Sequence, residues 1–319
     1  MRSLSWLVGL GLAACGTDAP KATTTPTTPT QTPTPTPTPT PPIGAVTPAP
    51  PVDAAVYPPN TYADLASALA AIIPADARVL GFGELHARVD RAQVRSALSH
   101  FTEALPSFGD KVSDLIVETF VVDPNCGKTA HKATKQMETE VKRPVETKSE
   151  ITLLADAARA KKVQPHAMTL TCADYKTLVP KNEVDPLAML TITTRELKRI
   201  AASAVAHRDK DPERRPWIAV YGGALHNDRF PDPAIKDWSY AAAIDKVTND
   251  RFIEIDLIVP ELAAADAQSQ KQPWFSLVES AADRIQVFER NQRSFVVILA
   301  TSTVPASTTP PPSTTSTPK

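Results

Sequence analysis

Cysteine is scarce in this chain: three among 319 residues, at positions 15, 126 and 172. That is too few for a disulfide scaffold. A basic excess is also missing. Between residues 53 and 300 there are 31 basic and 34 acidic residues, a net of −3 with no clustered patch. A general nucleic-acid binder carries the opposite balance, so nucleic acid is not an expected partner. No apolar run in that segment approaches the roughly 20 residues of a membrane-spanning helix. No sequence repeat recurs within it. Methionine is rare too, with only Met137, Met168 and Met189 there, and there is no Cys-x-x-Cys-His attachment motif for haem.

Proline is abundant but unevenly placed. Of 32 prolines, 12 lie between Gly16 and Val52 and 5 follow Ala300. Both tracts are mostly Thr, Pro, Ser and Ala, with too few apolar side chains to offset chain entropy, and are expected to be disordered. This divides the chain into residues 1–14, a linker over 15–52, one folded domain over 53–302 and a tail over 303–319. The linker repeats Thr-Pro, as in Thr32-Pro33-Thr34-Pro35. Fixed proline φ angles make such a tract an extended spacer, reaching up to about 100 Å at about 3.1 Å per residue.

The first residues read as an address. Arg2 is followed by a short apolar stretch, Leu4 to Ala14, sized for a signal peptide and too short to span a bilayer. It ends in Leu12-Ala13-Ala14-Cys15, which resembles the lipobox of bacterial lipoproteins. The resemblance implies lipidation of Cys15, a membrane as partner, and a place in the bacterial cell envelope with the leaflet open. The other reading is an ordinary secretory signal with an incidental cysteine. An exported chain meets an oxidising compartment, so Cys126 and Cys172 either pair or remain buried thiols.

The folded segment alternates strands with helices. Helical spacing covers Tyr62 to Ile73, with Thr61 as N-cap, then Val89 to Leu105, Glu146 to Lys162, Leu187 to His207 and Phe275 to Arg284. Strands are expected at Arg78–Phe82, Asp114–Val121, Val163–Leu170, Trp217–Tyr221, Arg251–Val259 and Phe295–Ala300. This order predicts a single α/β domain with a mainly parallel sheet flanked by helices. Continuous apolar strands such as WIAVY suit a sheet covered on both faces. Residues 122–145, rich in Lys, Thr and Glu, read as a surface excursion.

Ligands of such sheets gather beyond the carboxyl ends of the strands. The folded segment has six glycines, four of them in two strand-end motifs: Gly81-Phe82-Gly83-Glu84-Leu85-His86 and Gly222-Gly223-Ala224-Leu225-His226. Each gives a strand, a glycine, two residues and a histidine. Glycine permits a sharp turn and close backbone approach. Glu118 interrupts the apolar run Leu115-Ile116-Val117, where a carboxylate is costly unless paired, protonated or metal-bound. Glu118 is either the partner of an arginine such as Arg88 or Arg91, or part of one site with Glu84, His86 and His226. Such a set suits acid–base chemistry, or a divalent metal held by His86, His226 and Glu118. Tyr175 and Tyr221 are the tyrosines that could ligate haem, Tyr221 only weakly. Asn227 and Asp228 either orient His226 or cap the next element.

These motifs resemble the TIKI/TraB, erythromycin-esterase and ChaN superfamily, with the ChaN-like branch of haem-binding lipoproteins most similar. The resemblance covers most of residues 75–230 and rests on about a dozen positions. It implies an α/β sandwich with its site between the two His-bearing turns, carried by Glu84, His86, Glu118 and His226. It implies either a hydrolase acting on a small-molecule or peptide substrate, esterase- or metalloprotease-like, or a non-catalytic carrier of haem or metal in iron uptake. Oligomeric state is left open.

Overall fold

A computed structural model describes residues 60–301, except 212, 281 and 282. The expected signal segment, Cys15, the linker and the tail lie outside the described residues. The described part is one mixed α/β domain.

In chain order its elements are β1 (Asn60–Tyr62), α1 (Leu65–Ile72), β2 (Val79–Glu84), α2 (Ala97–Phe108), β3 (Val112–Val121), α3 (Gly127–Val141), α4 (Thr147–Ala160), β4 (Gln164–Thr169), α5 (Cys172–Leu178), α6 (Pro186–Arg208), β5 (Trp217–Gly223), α7 (Ala224–Asn227), α8 (Ala241–Thr248), β6 (Phe252–Ile258), α9 (Pro260–Ala264), α10 (Phe275–Ser280), β7 (Ile285–Asn291) and β8 (Ser294–Ile298). The eight strands form one sheet in the order β1-β7-β8-β6-β2-β5-β3-β4. The pairs β2–β5, β2–β6, β3–β4, β3–β5 and β6–β8 are parallel. Only β1–β7 and β7–β8, at one edge, are antiparallel among the described strands.

Period-two alternation sorts the central strands onto two faces. Leu80, Phe82, Leu115, Val117, Ala219 and Tyr221 join one core, under α1, α2 and α4. Val79, Ile116, Ile218, Val220 and Phe252 join the other, under α6 and α8. Both faces are buried, which explains strands such as β5 that are apolar along most of their length.

Several boundaries differ from the sequence expectation. Thr61 and Tyr62 pair with β7, and α1 starts three residues later, where Asp64 caps it in a reciprocal box with Ser67. The helix expected from Val89 begins only at Ala97. Ser96 accepts from the Ser99 N–H at 3.0 Å and is the true N-cap. Residues 89–91 form a single tight turn instead. The surface excursion contains a helix, α3, anchored by the small buried side chains Ala130 and Ala133 together with Met137. Cys126 and Cys172 are bonded to each other, tying the start of α3 to α5. β7 carries alternating polar residues (IQVFERN) and was not anticipated.

Candidate functional site

Parallel pairing puts the carboxyl ends of β2, β5 and β3 side by side. Gly83 lies opposite Gly222, and Glu84 opposite Gly223. β3 follows β5 only as far as Val117, opposite Tyr221. Its pairing with β4 is irregular between Val117 and Phe120. Glu118 therefore sits in a bulge, the device that re-aims a side chain out of strict alternation. It turns toward β5 and accepts the Gly223 N–H at 2.6 Å.

The glycines of the second motif make this approach possible. A Cβ on Gly222 would stand 2.6 Å from Glu118 Oε2, and one on Gly223 would stand 2.9 Å from His86 Nε2. Any larger residue would push Glu118 or His86 out of the strand end.

His86 is the hub. Its Nδ1 lies 2.8 Å from Glu84 Oε1. Tyr221 donates its hydroxyl to the other oxygen of Glu84, fixing that carboxylate. On the far side of the ring, Nε2 is 2.7 Å from Arg143 Nη2 and 3.6 Å from Glu118 Oε1. Arg143 Nη2 is also 3.5 Å from Glu118 Oε1. A guanidinium only donates, so here Nε2 is the acceptor and Nδ1–H donates to Glu84.

Burial and Arg143 act to lower the His86 pKa, but Glu118 and Glu84 outweigh them and hold it above the ordinary value. The ring is about 30% exposed, so water softens every one of these influences. Protonation would take Nε2 from Arg143 and aim it at Glu118. Burial works to raise the Glu118 pKa; His86, His226 and Arg143 overcome it and keep the group far below the carboxylate range. Burial, with the Glu84 charge adding to it, drives the Tyr221 pKa well up, so this phenol stays a donor.

His226 occupies a different setting. It is 4% exposed. Its Nδ1 meets the Trp238 carbonyl at 3.0 Å and Thr194 Oγ1, from α6, at 2.8 Å. The carbonyl can only accept, so the proton is on Nδ1 and the Nε2 lone pair is open. Burial is the main cause that lowers its pKa, helped by His86 and Arg143 and opposed by Glu118. Among the described residues no hydrogen bond or ion pair joins His226 to His86, Glu84 or Glu118. The structure thus brings Glu84, His86 and Glu118 into contact and leaves His226 within reach of their charge only. Asn227 secures this turn by donating to the Gly81 carbonyl at 3.0 Å. Asp228 bonds the Phe230 N–H and faces Arg290.

Other candidates fall elsewhere. Tyr221 is buried with its hydroxyl engaged by Glu84, and Tyr175 donates to the Val121 carbonyl at 3.3 Å. Arg88 pairs with Asp90 and not with Glu118. The arginine facing Glu118 is Arg143, in the connection between α3 and α4. Nothing in the sequence marks Arg143: it lies in the segment read as a surface excursion.

Glu84, His86, Glu118, Arg143, Tyr221 and Gly222 border a cavity of about 10 Å3. That is the space of one water; a porphyrin does not fit it. Larger hollows, near Pro260 and Phe275 and near Arg229 and Asp245, have ionisable side chains but no histidine in their linings. One donor atom each from Asp123, Cys126 and Cys172 lies within 4.8 Å of the others, making a candidate metal-ligating cluster. Its two sulfurs are joined to each other, so it offers thiolates only once that bond is reduced. At His86 the lone pair a metal would need is taken by Arg143. The residues as arranged do not fit a bound metal there.

The chain matches no known protein family and no curated protein. It is similar to one solved structure described as the type III effector HopBA1, with 12% identity and a TM-score of 0.37 over 70% of this chain and 88% of that one.

Proposed function

We propose that the domain is a hydrolase in which His86 is the general base and Glu84 its orienting partner, and that Cys15 anchors it by lipid in a bacterial cell envelope. The observation that carries the hydrolase reading is the Glu84–His86 pair bordering a cavity of one water's volume. Glu84 holds the Nδ1–H tautomer and stabilises the imidazolium that forms, while Tyr221 keeps Glu84 in place. His86 Nε2 takes a proton from water as the water oxygen attacks an acyl carbon. The imidazolium then returns that proton to the leaving oxygen or nitrogen. Glu118 balances the charge and holds the Gly223 N–H. His226 stays neutral beside the site.

The resemblance to the esterase, TIKI and ChaN superfamily supports an ester or amide as the bond class. Among the described residues no helix is long and apolar enough to cross a membrane; the anchoring proposal rests on Cys15 and the residues before it. Full-length protein should hydrolyse members of a panel of activated esters and amides, and His86→Ala should remove that activity with the fold retained by circular dichroism. Activity equal to wild type in folded His86→Ala would refute the assignment. Replacing Cys15 by Ser should shift the protein from the membrane to the soluble fraction, and continued membrane retention would refute the anchor.

A further inference from the structure

His86 Nε2, Glu118 Oε1 and Arg143 Nη2 form a triangle with sides of 2.7, 3.5 and 3.6 Å. Two ligands on one tetrahedral metal, each at about 2.1 Å, stand roughly 3.4 Å apart. The imidazole nitrogen and the carboxylate oxygen thus have nearly the spacing of a ligand pair. Yet the space they share is filled by a guanidinium. We propose that Arg143 is the resident cation of this site: it occupies the position a divalent metal would take between His86 and Glu118, and it supplies the positive charge toward the substrate's oxygen.

Arg143 is built into this place. Lys142, just before it, adopts a left-handed φ of 51°, and its carbonyl accepts the Val89 N–H at 3.0 Å. That bond brings the α3–α4 connection against the segment that follows His86. The Arg143 side chain is 23% exposed. Two acidic side chains, Glu84 and Glu118, flank the imidazole and call for a cation. A guanidinium meets that need with a delocalised positive charge and a planar fork of donors. Among the described residues its Nε is buried with no hydrogen-bond partner, a donor left unsatisfied at the edge of the site. A carbonyl oxygen gains negative charge as water attacks, and a fixed cation beside it lowers that barrier. When substrate arrives, Nη2 leaves Nε2, which frees the base and transfers the guanidinium's hydrogen bonds to the substrate.

The catalytic half of this proposal rests on the hydrolase reading; the exclusion of metal does not, and it is tested without substrate. Full-length, disulfide-bonded protein would be titrated with Zn2+ by calorimetry and with Co2+ by visible absorption, as wild type, Arg143→Ala, Arg143→Lys and Arg143→Ala/His86→Ala. The expected result is that wild type and Arg143→Lys take up no metal that depends on His86. Arg143→Ala should bind one ion at least about tenfold more tightly than wild type, and the added His86→Ala change should abolish that gain. Arg143→Lys preserves a cation and a side chain of similar length, so it also serves if Arg143→Ala fails to fold: wild-type-like exclusion of metal by it is expected. A stoichiometric metal on wild type that is lost in His86→Ala would overturn the proposal. So would an Arg143→Ala protein that binds no more metal than wild type, or an Arg143→Lys protein that binds metal through His86. A protein inactive on every ester and amide, but with the expected metal behaviour, would contradict the hydrolase reading alone.

Discussion

The two strand-end turns share a sequence pattern but hold their histidines in opposite electrostatic settings. His86 follows β2 and is framed by Glu84, Glu118 and Arg143; the acidic pair raises its pKa. His226 follows β5, is almost fully buried against Thr194 and the Trp238 carbonyl, and is pushed toward neutrality. The turn gives each ring a place at the sheet edge. What the ring then does is decided by side chains far away in sequence. One motif yields a candidate proton shuttle; the other yields a neutral imidazole with one open nitrogen.

The comparison can be broken from its strong end first. Removing the His86 imidazole should reduce hydrolysis by about 10³-fold, measured as kcat/KM on the best substrate of an ester and amide panel, whereas His226→Gln should cost far less. Next comes Gly222→Ala. Its new Cβ would collide with Glu118, so unfolding by urea should show about 2 kcal/mol of lost stability. The same change at Gly109, where a Cβ would come no closer than 3.3 Å to the Lys161 stem and 3.9 Å to Leu105 Cδ1, should be milder. Thr194→Val removes one of the two groups on His226 Nδ1 and should cost about 1 kcal/mol, with little change in kcat.

The smallest expected effect sharpens the contrast with a third imidazole. His100 on α2 is half-buried, with no partner for its Nε2 among the described residues. Burial, helped by Arg95, lowers its pKa to about 4. Its folded value lies below its unfolded value of 6.5. The unfolded state therefore binds the proton first, and stability is full above pH 6.5 and falls as pH drops toward 4. Thermal unfolding of wild type against His100→Gln between pH 7 and pH 5 should show a larger loss in wild type, the excess being under about 1 kcal/mol per pH unit.

Much of the fold could be read from local pattern. Strands buried on both faces, such as Trp217–Gly223, announce themselves by continuous apolar character, and the paired glycines mark where β2 and β5 end together. β7 escaped because its exposed half carries Glu289 and Asn291 and its apolar half is short. The helix expected at Val89 was shortened by Ser96, whose capping role depends on which residues beyond it are helical. At the site, Glu84 and His86 sit two residues apart and were visible as a unit. Glu118 was visible as a charge in an apolar strand, but not its bulge, which arises from the pairing of three strands. Arg143 was invisible. Its contact with His86 spans 57 residues and depends on α3, a helix whose polar composition hides the narrow buried stripe of Ala130, Ala133 and Met137 that holds it.

The most direct test is a pH titration of the six histidine rings by NMR in the full-length protein, with His86→Gln and His226→Gln used to assign two of them. The account predicts that His86 titrates above 6.5 and His226 below it, and that Glu118→Gln moves His86 downward. Two motif histidines titrating together near 6.5, or in the reverse order, would contradict it.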